Sequence, residues 1–512
     1  MGSATVKKGA AGTAVILAIC SIFVKITAFA RDIVLSYVYG AGTVSDAYLV
    51  AAAIPTVLFT GVLTSLYTSY VVMFYDVRAK GEHEVNKYTS NLINVISIAA
   101  VLFILVFWIF KEQFVYLFAS GFAEEAFALT AGLSRISIIS IIFMGISYVF
   151  QGYLQANNQF YLVALFMVPV NIMIALGIVF SAQGQNYIVM SGAIVLAYAA
   201  VVPIFWIQAA RRGFRFVPYL NFRDAYLIET MRVVLPIFAG QMLAEINNIV
   251  DKNMASRLPA GYVTSLDYGF KVATMVHSVL AWPIATMIFP KLSQYLSEGK
   301  LEESKSSVRK CIILVSMVII PVVLMVAVLA EPIIELLFYR GAFREENVII
   351  TAQALKVYVI SSIPIAYRII FEKAFYAMKD TKRPIIFSAF GIAINILLDI
   401  LLLKRFAHVG LAFATVVSCT VTTLLYMIWM TKKKMTGLFD KTFWLVMLRT
   451  VIAAAVMTAV VREMKQRLYT GVTGELAQVF VKLILTGLAG LGAYVLSWAA
   501  LSCMRRRGEK KC

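Results

Sequence analysis

Charge is scarce in this chain, and what there is leans one way. Asp, Glu, Lys and Arg together make up 14% of 512 residues, against about 25% in soluble domains. With 61% hydrophobic residues, a soluble protein of this length would have too little polar surface to cover itself. Cysteine is sparse as well. The five, at 20, 311, 419, 503 and 512, form no CxxC pair, so their spacing supports neither a redox motif nor a zinc site. The three histidines, His83, His277 and His408, also lack metal-ligand spacing. No loop between apolar runs exceeds roughly 20 residues, which leaves no soluble domain to carry enzyme chemistry. The expectation is a protein that is not an enzyme.

What the chain does have is long apolar runs, about fourteen of them, each near the length that spans ~30 Å of hydrocarbon. They are continuously apolar rather than alternating, so the fold class expected is all-α and polytopic, not a barrel. The N-terminus, Lys7 and Lys8 before an apolar run, resembles a signal peptide. The run continues into charged ITAFARDIV without a small-residue cleavage site, so it reads as a retained first span. The formal charge of +19 could point to nucleic acid, but its placement points to topology. With both ends inside and fourteen spans, 26 of the 46 Lys and Arg fall on the cytoplasmic side and 9 on the other. That follows the positive-inside rule and predicts a multi-pass plasma-membrane protein with cytoplasmic termini. Membrane lipids are the expected surroundings, and no nucleic-acid partner is expected.

The chain also repeats itself. Ala41-Gly42-Thr43-Val44 with Asp46 matches Ala260-Gly261-Tyr262-Val263 with Asp267. Leu117-Phe118-Ala119-Ser120-Gly121-Phe122 matches Leu337 to Phe343, and Pro169-Val170-Asn171-Ile172 matches Ala393-Ile394-Asn395-Ile396. Three matches in order at one offset indicate duplication. An offset of six spans is even, so the halves should be parallel repeats about an axis along the membrane normal. The expected layout is an N-lobe of spans 1–6 (1–211), a cytoplasmic linker (212–225), a C-lobe of spans 7–12 (226–431), and spans 13–14 with a basic tail (432–512). Two six-helix lobes around a central cavity usually work by alternating access. A channel would more often be oligomeric and carry a filter loop, and a monomer is expected here.

Lys25, Arg31 and Asp32 sit inside the first span. A charge at mid-membrane depth costs about 2.5–3.5 kcal/mol on insertion scales, so these residues call for partners, water or a charged ligand. Lys252, Lys271, Lys356, Arg368 and Lys373 add cations on spans 7, 8 and 10. Several cations around a wet cavity suit a phosphate or diphosphate, Arg through its planar fork and Lys as a point charge. The competing reading pairs them with Asp32, Asp46, Asp267 and Glu372. Arg31 and Asp32 are adjacent, and adjacent helical residues do not face each other, so each is expected to serve a different partner. Asp46 is read as an acid that holds a cavity cation until cargo arrives.

A second constellation lies in the C-terminal half. Asn395 and Asp399 are one turn apart, with Asp251 and Thr415 as candidate partners. Such hard oxygen ligands suit a small hard cation or a proton, and a buried hydrogen-bonded cluster is the alternative. Ala175 stands where Asp399's counterpart would be, so only one half is expected to carry the ion.

KITAFARDIVLSYVYGAGTVSDAY resembles the first-span signature of the MurJ lipid II flippases, within the multidrug/oligosaccharidyl-lipid/polysaccharide exporter superfamily. LFYRGAF, AFYAMKDTKRPIIFSAFGIAINILLDILL and HVGLAFATVVS resemble their spans 9–12. The resemblance implies a flippase that moves an undecaprenyl-diphosphate-linked peptidoglycan precursor from the inner to the outer leaflet of a bacterial plasma membrane. It implies cavity groups at Lys25, Arg31, Asp32, Asp46 and Lys271, and a lipid tail beside spans 13–14. It places sodium, as coupling ion, at Asp251, Asn395, Asp399 and Thr415. The chain departs from the family pattern at several points. Lys25 and Lys271 stand where Arg is usual. In span 2 the family's Arg pair falls on Phe59 and Thr60 and its Glu on Thr64. This leaves two alternatives open: another polyprenyl-diphosphate glycan as cargo, or a cation-coupled exporter of small molecules.

Overall fold

The computed structural model describes residues 2–184, 186–469, 471–472 and 475–508. The side chains of Lys7, Lys8 and the basic tail from Met504 onward lie outside the described residues. Every regular element among the described residues is a helix. A hydrocarbon solvent offers the backbone no hydrogen bonds, and a helix satisfies its own. Hydroxyls are handled the same way. Ser65 and Ser69 donate to the carbonyls of Gly61 and Ser65 at 2.6 and 2.8 Å, so polar residues sit in a span without needing outside partners. Large apolar side chains such as Ile109 and Leu496 point outward, as lipid-facing residues do. Eleven helices are long and apolar enough to cross a membrane, or twelve with one bent pair.

By packing, the chain divides into two compact units, residues 1–261 and 262–512. The first holds α1 (Gly2–Tyr39), α2 (Thr43–Arg78), α3 (Glu82–Ile109), the short α4 (Lys111–Ala119), α5 (Glu124–Ser137), α6 (Ser140–Ala156), α7 (Phe160–Leu165), α8 (Met167–Gln183), α9 (Ile188–Arg211) and α10 (Ala225–Ala255). α2 lies between α6 and α10, and α1 packs on α8. The sequence boundary at 212–225 therefore differs from the packing boundary, because α10 lies along α2 within the first unit. An aromatic cluster fills the core near one end of α2. Tyr70 stacks on Tyr88 at 5.4 Å, and Phe74 meets Tyr153 edge-on at 5.9 Å. Their hydroxyls are all engaged, Tyr70 with Thr89, Tyr88 with Thr230, and Tyr153 with the Arg212 carbonyl.

The segment between α9 and α10 is not a loose linker. It runs extended along α3, fastened by a ladder of α3 side chains one turn apart. Asn86 takes the Arg215 N–H and donates to the Gly213 carbonyl, and Ser90 Oγ accepts from Val217 N. Asn91 closes a double bond with the backbone of Asn221, at 2.9 and 2.8 Å, and Asn94 reaches the Tyr219 carbonyl at 2.9 Å. Phe214 anchors the start among Phe150, Tyr153 and Trp206. Asp224 ends it by capping α10 through the amides of Tyr226 and Leu227.

The second unit holds α11 (Tyr262–Ser297), α12 (Leu301–Val328), the short α13 (Ala330–Phe338), α14 (Glu345–Tyr358), α15 (Ser362–Ala377), α16 (Lys382–Trp429), α17 (Lys441–Leu468) and α18 (Leu476–Gly508). α11 packs on α12, α14 and α15, and α17 lies against α12 and α18. α16 breaks at Ala407, whose φ of 46° and ψ of −131° are non-helical, and its two arms fold against each other. Gly391 makes the close approach possible: a Cβ there would collide with Thr422, and the Gly391 carbonyl accepts from Ser418 Oγ at 2.7 Å. The element lengths also repeat. α2 to α5 run 36, 28, 9 and 14 residues. α11 to α14 run 36, 28, 9 and 14.

Candidate functional site

In the first unit the charged residues of α1 gather around α8. Arg31 Nη2 and Nε both reach Asp32 Oδ1, at 2.9 and 3.2 Å, and Nη1 donates to Asn171 Oδ1 at 3.3 Å. Asn171 in turn donates to Thr27 Oγ1 at 3.2 Å. This corrects the expectation that Arg31 and Asp32 serve different partners. The guanidinium stem is long enough to fold back on its neighbour, which the rule for adjacent side chains does not allow for. Asp32 is buried while Arg31 keeps a quarter of its side chain exposed. Lys25, on another face of α1, is exposed and makes no ion pair or hydrogen bond among the described residues.

Asp46, near the start of α2, is buried and takes the Gly261 N–H on Oδ2 at 2.6 Å. Gly261 has φ +91, and a Cβ there would lie 2.6 Å from the Ala41 carbonyl oxygen. The acid thus fixes a glycine turn at the end of the unit, a contact the sequence reading did not include. Beside it, Asn253 donates to the Tyr116 and Leu117 carbonyls at 3.0 Å each, and the Gly121 N–H meets Ser256 Oγ at 3.0 Å. Earlier on α10, Asn247 donates to Asp251 Oδ2 at 3.0 Å, and Lys252 follows half-buried in the last turn.

Where the family pattern has its span 2 Arg pair, Phe59 packs edge-on against Phe103 of α3 at 4.8 Å. Thr64, in place of the Glu, donates to the Thr60 carbonyl at 2.7 Å. Both positions are satisfied locally.

In the second unit two of the cations, Lys271 and Arg368, are paired with acids. Lys271 Nζ meets Asp267 at 2.6 Å, and Arg368 lies 3.5 Å from Glu372, which Tyr426 also approaches at 3.4 Å. Lys373 stands over the rings of Trp282 and Phe289 at about 5.5 Å and is held by cation–π attraction rather than by an acid. Asn395 and Asp399 are both buried, one turn apart on the first arm of α16. The Gly391–Ser418 and Gly391–Thr422 contacts set the register of the two arms, which puts Thr415 level with Asn395. Thr415 Oγ1 reaches the Leu411 carbonyl at 3.2 Å. These three residues offer a carboxylate, an amide oxygen and a hydroxyl, a donor set that fits a small hard cation. Asp251 belongs to the first unit.

A bundle of long apolar helices with partly buried ion pairs in its spans has the architecture of a multi-pass helical transporter. The same fold is seen in an inward-facing MATE family transporter of the MOP superfamily (TM-score 0.66, 14% identity, covering 82% of this chain and 98% of that one). The family model described as lipid II flippase MurJ matches residues 35–482, and the chain belongs to that family. A probable lipid II flippase MurJ of Thermotoga maritima is 26% identical over 397 residues, 77% of this chain and 80% of that protein. A lipid II flippase MurJ solved in an inward closed conformation superposes with a TM-score of 0.80 at 21% identity, over 96% of this chain and 99% of that one.

Proposed function

We propose that this protein flips lipid II, the undecaprenyl-diphosphate-linked peptidoglycan precursor, from the inner to the outer leaflet of a bacterial plasma membrane by alternating access. Membership of the family across residues 35–482 carries this reading. Arg31, whose side chain is partly exposed, supplies the anion contact, with Lys25 as a second cation, and Asp32 and Asn171 orient Arg31. Lys252, Lys271 and Arg368 complete the proposed cationic set, and Asp46 acts as a positioning residue.

The full proposal is fourteen spans with cytoplasmic termini, acting as a monomer. Two observations support the span count: α16 breaks at Ala407 into two arms, and α1 is a helix of 38 residues. Added to the twelve spans that include the bent α5–α6 pair, these give fourteen. The repeated helix lengths support two lobes related by a parallel pseudo-two-fold. Sodium is the proposed coupling ion, with Asn395, Asp399 and Thr415 as ligands. The packed Phe59 and satisfied Thr64 favour a second reading, in which the cargo is another polyprenyl-diphosphate glycan held without the span 2 cations.

The test is rescue of bacteria depleted of their own lipid II flippase, with Arg31→Ala as control. Growth with the intact protein and lysis with the variant, at equal membrane levels, is the expected result. Failure of the intact protein despite membrane expression would refute lipid II as cargo and leave the second reading.

A further inference from the structure

The strap between α9 and α10 has two unlike sides. Asn86, Ser90, Asn91 and Asn94 of α3 bond the backbone of its odd-numbered residues, from Gly213 to Asn221. Val217, Tyr219 and Asn221 are half-buried there. The even-numbered residues face away. Phe216, Leu220 and Phe222 are 42, 48 and 59% exposed, and Pro218 between them is exposed too. Successive side chains of an extended chain point to opposite sides, so the outer side is an apolar edge about 20 Å long at 3.3 Å per residue. Trp206, at the end of α9, extends that edge with its ring 5.8 Å from that of Phe216.

The edge continues a lipid-facing stripe. Asn86, Ser90 and Asn94 recur every four residues on α3, and the same face runs on through Ile98, Leu102, Leu105 and Ile109, all exposed. The apolar part of α3 ends at Phe110, before Lys111 and Glu112. About 20 residues span ~30 Å of hydrocarbon, which puts the other edge of the hydrocarbon near Asn91. Tyr219, bonded to Asn94, therefore lies at that edge. Gly213, bonded to Asn86, lies about 12 Å further out at 1.5 Å per residue. Charge completes the pattern. Residues 211–223 carry Arg211, Arg212, Arg215 and Arg223 and no acid, and all four are exposed.

We infer that the strap is seated in the inner leaflet of the membrane, with Phe216, Leu220 and Phe222 at the edge of the hydrocarbon and the arginines on the phosphates of anionic phospholipids. Two observations select this occupant. The stripe that the strap continues faces acyl chains, so the leaflet that covers Ile98 and Leu102 also covers Leu220. Four cations without an acid beside an apolar edge match an anionic headgroup layer, where each arginine meets a phosphate through its planar fork. A soluble protein partner would have to pass below the headgroups to touch Leu220. The asparagine ladder explains how a non-helical chain lies at this depth: α3 supplies the hydrogen bonds that hydrocarbon cannot. The inference uses the proposed cytoplasmic orientation of the N-terminus and nothing about the cargo.

The test is photolabelling of the full-length protein in liposomes, with label positions read by mass spectrometry. One probe is phosphatidylglycerol with a diazirine near the head of its acyl chain, the second is phosphatidylcholine with the same group, and the third is a water-soluble diazirine. Phosphatidylglycerol should label residues 216–222 at least threefold more than phosphatidylcholine does, while Ile98 and Leu102 take up both lipids. The water-soluble probe should label His83, exposed in the first turn of α3, at least fivefold more than 216–222. Labelling of 216–222 from water as strong as that of His83 overturns the inference. Protection from all three probes, which would mean that protein covers the strap, overturns it as well, and so does equal labelling by the two lipids. These outcomes are read on the unmodified protein and depend on no variant folding. Arg215→Gln with Arg223→Gln should bring the phosphatidylglycerol preference at 216–222 below 1.5-fold and leave the labelling of Ile98 and Leu102 unchanged. A preference that survives both substitutions removes the arginines from the headgroup contact and refutes the anionic occupant. None of these readouts requires transport, so failure of the lipid II reading leaves the inference standing, and the reverse.

Discussion

Asn91→Ala should release the segment between α9 and α10 from α3. Asn91 is fully buried, and its amide closes two hydrogen bonds with the backbone of Asn221. Each is worth about 0.5–1.5 kcal/mol net, and an unpaired buried group costs about 1–3 kcal/mol. Asn221 is only half-buried, so water can partly replace the lost partner, and the loss should be near 2 kcal/mol. A factor of ten corresponds to about 1.4 kcal/mol, so the Asn221 amide should exchange its hydrogen about thirtyfold faster in the variant. Hydrogen exchange resolved by mass spectrometry or NMR reads this directly. The Val217 amide, held by the preceding α3 residue, Ser90, serves as internal control and should change much less. Equal protection of Asn221 in both proteins would refute the strap as a source of order. A uniform rise over the whole first unit would show global destabilisation instead.

Three further outcomes are expected. Sodium should raise the melting temperature of the intact protein, and Asp399→Ala should abolish that rise; a rise that persists removes Asp399 from the proposed ion site. Asp46→Asn should replace a charge-assisted bond to Gly261 with a neutral one and lower stability by about 1 kcal/mol, read as a shift in the thermal midpoint. An unchanged midpoint would mean that the 2.6 Å contact contributes nothing. Gly177→Leu should destabilise the α8–α9 contact by about 1–3 kcal/mol, because a Cβ at Gly177 collides with that of Ala193, whereas Gly192→Leu, with open space around it, should be tolerated far better in the same melt.

Much of this architecture was legible in the apolar runs, because a membrane leaves the backbone little choice but helix. The placing of Asn395 and Asp399 on one face followed from spacing alone. Contacts that depend on side-chain reach were not legible. Arg31 bends back to Asp32, which face geometry forbids only for short side chains. The role of Asp46 was missed because its partner is a backbone N–H, and backbone donors carry no sequence signal. The strap on α3 did leave a trace: Asn86, Ser90 and Asn94 recur every four residues beside Asn91, a polar stripe that had no assigned partner. Nor could sequence show that Phe59 and Thr64 are packed and satisfied, since the loss of a charge and its local replacement look alike in one chain.

The strap also sets a mechanical limit. Residues 213–221 are bonded to α3 along their length, and Asp224 is bound into the cap of α10, so the free chain between α9 and α10 is only the turn at 222–224. At 3.3–3.6 Å per residue, that is a leash of about 10 Å. Whatever rearrangement the transport cycle demands of α10, its N-terminal end must stay within that radius of α3, and larger displacements must be taken up by bending further along the helix, where Pro236 interrupts it.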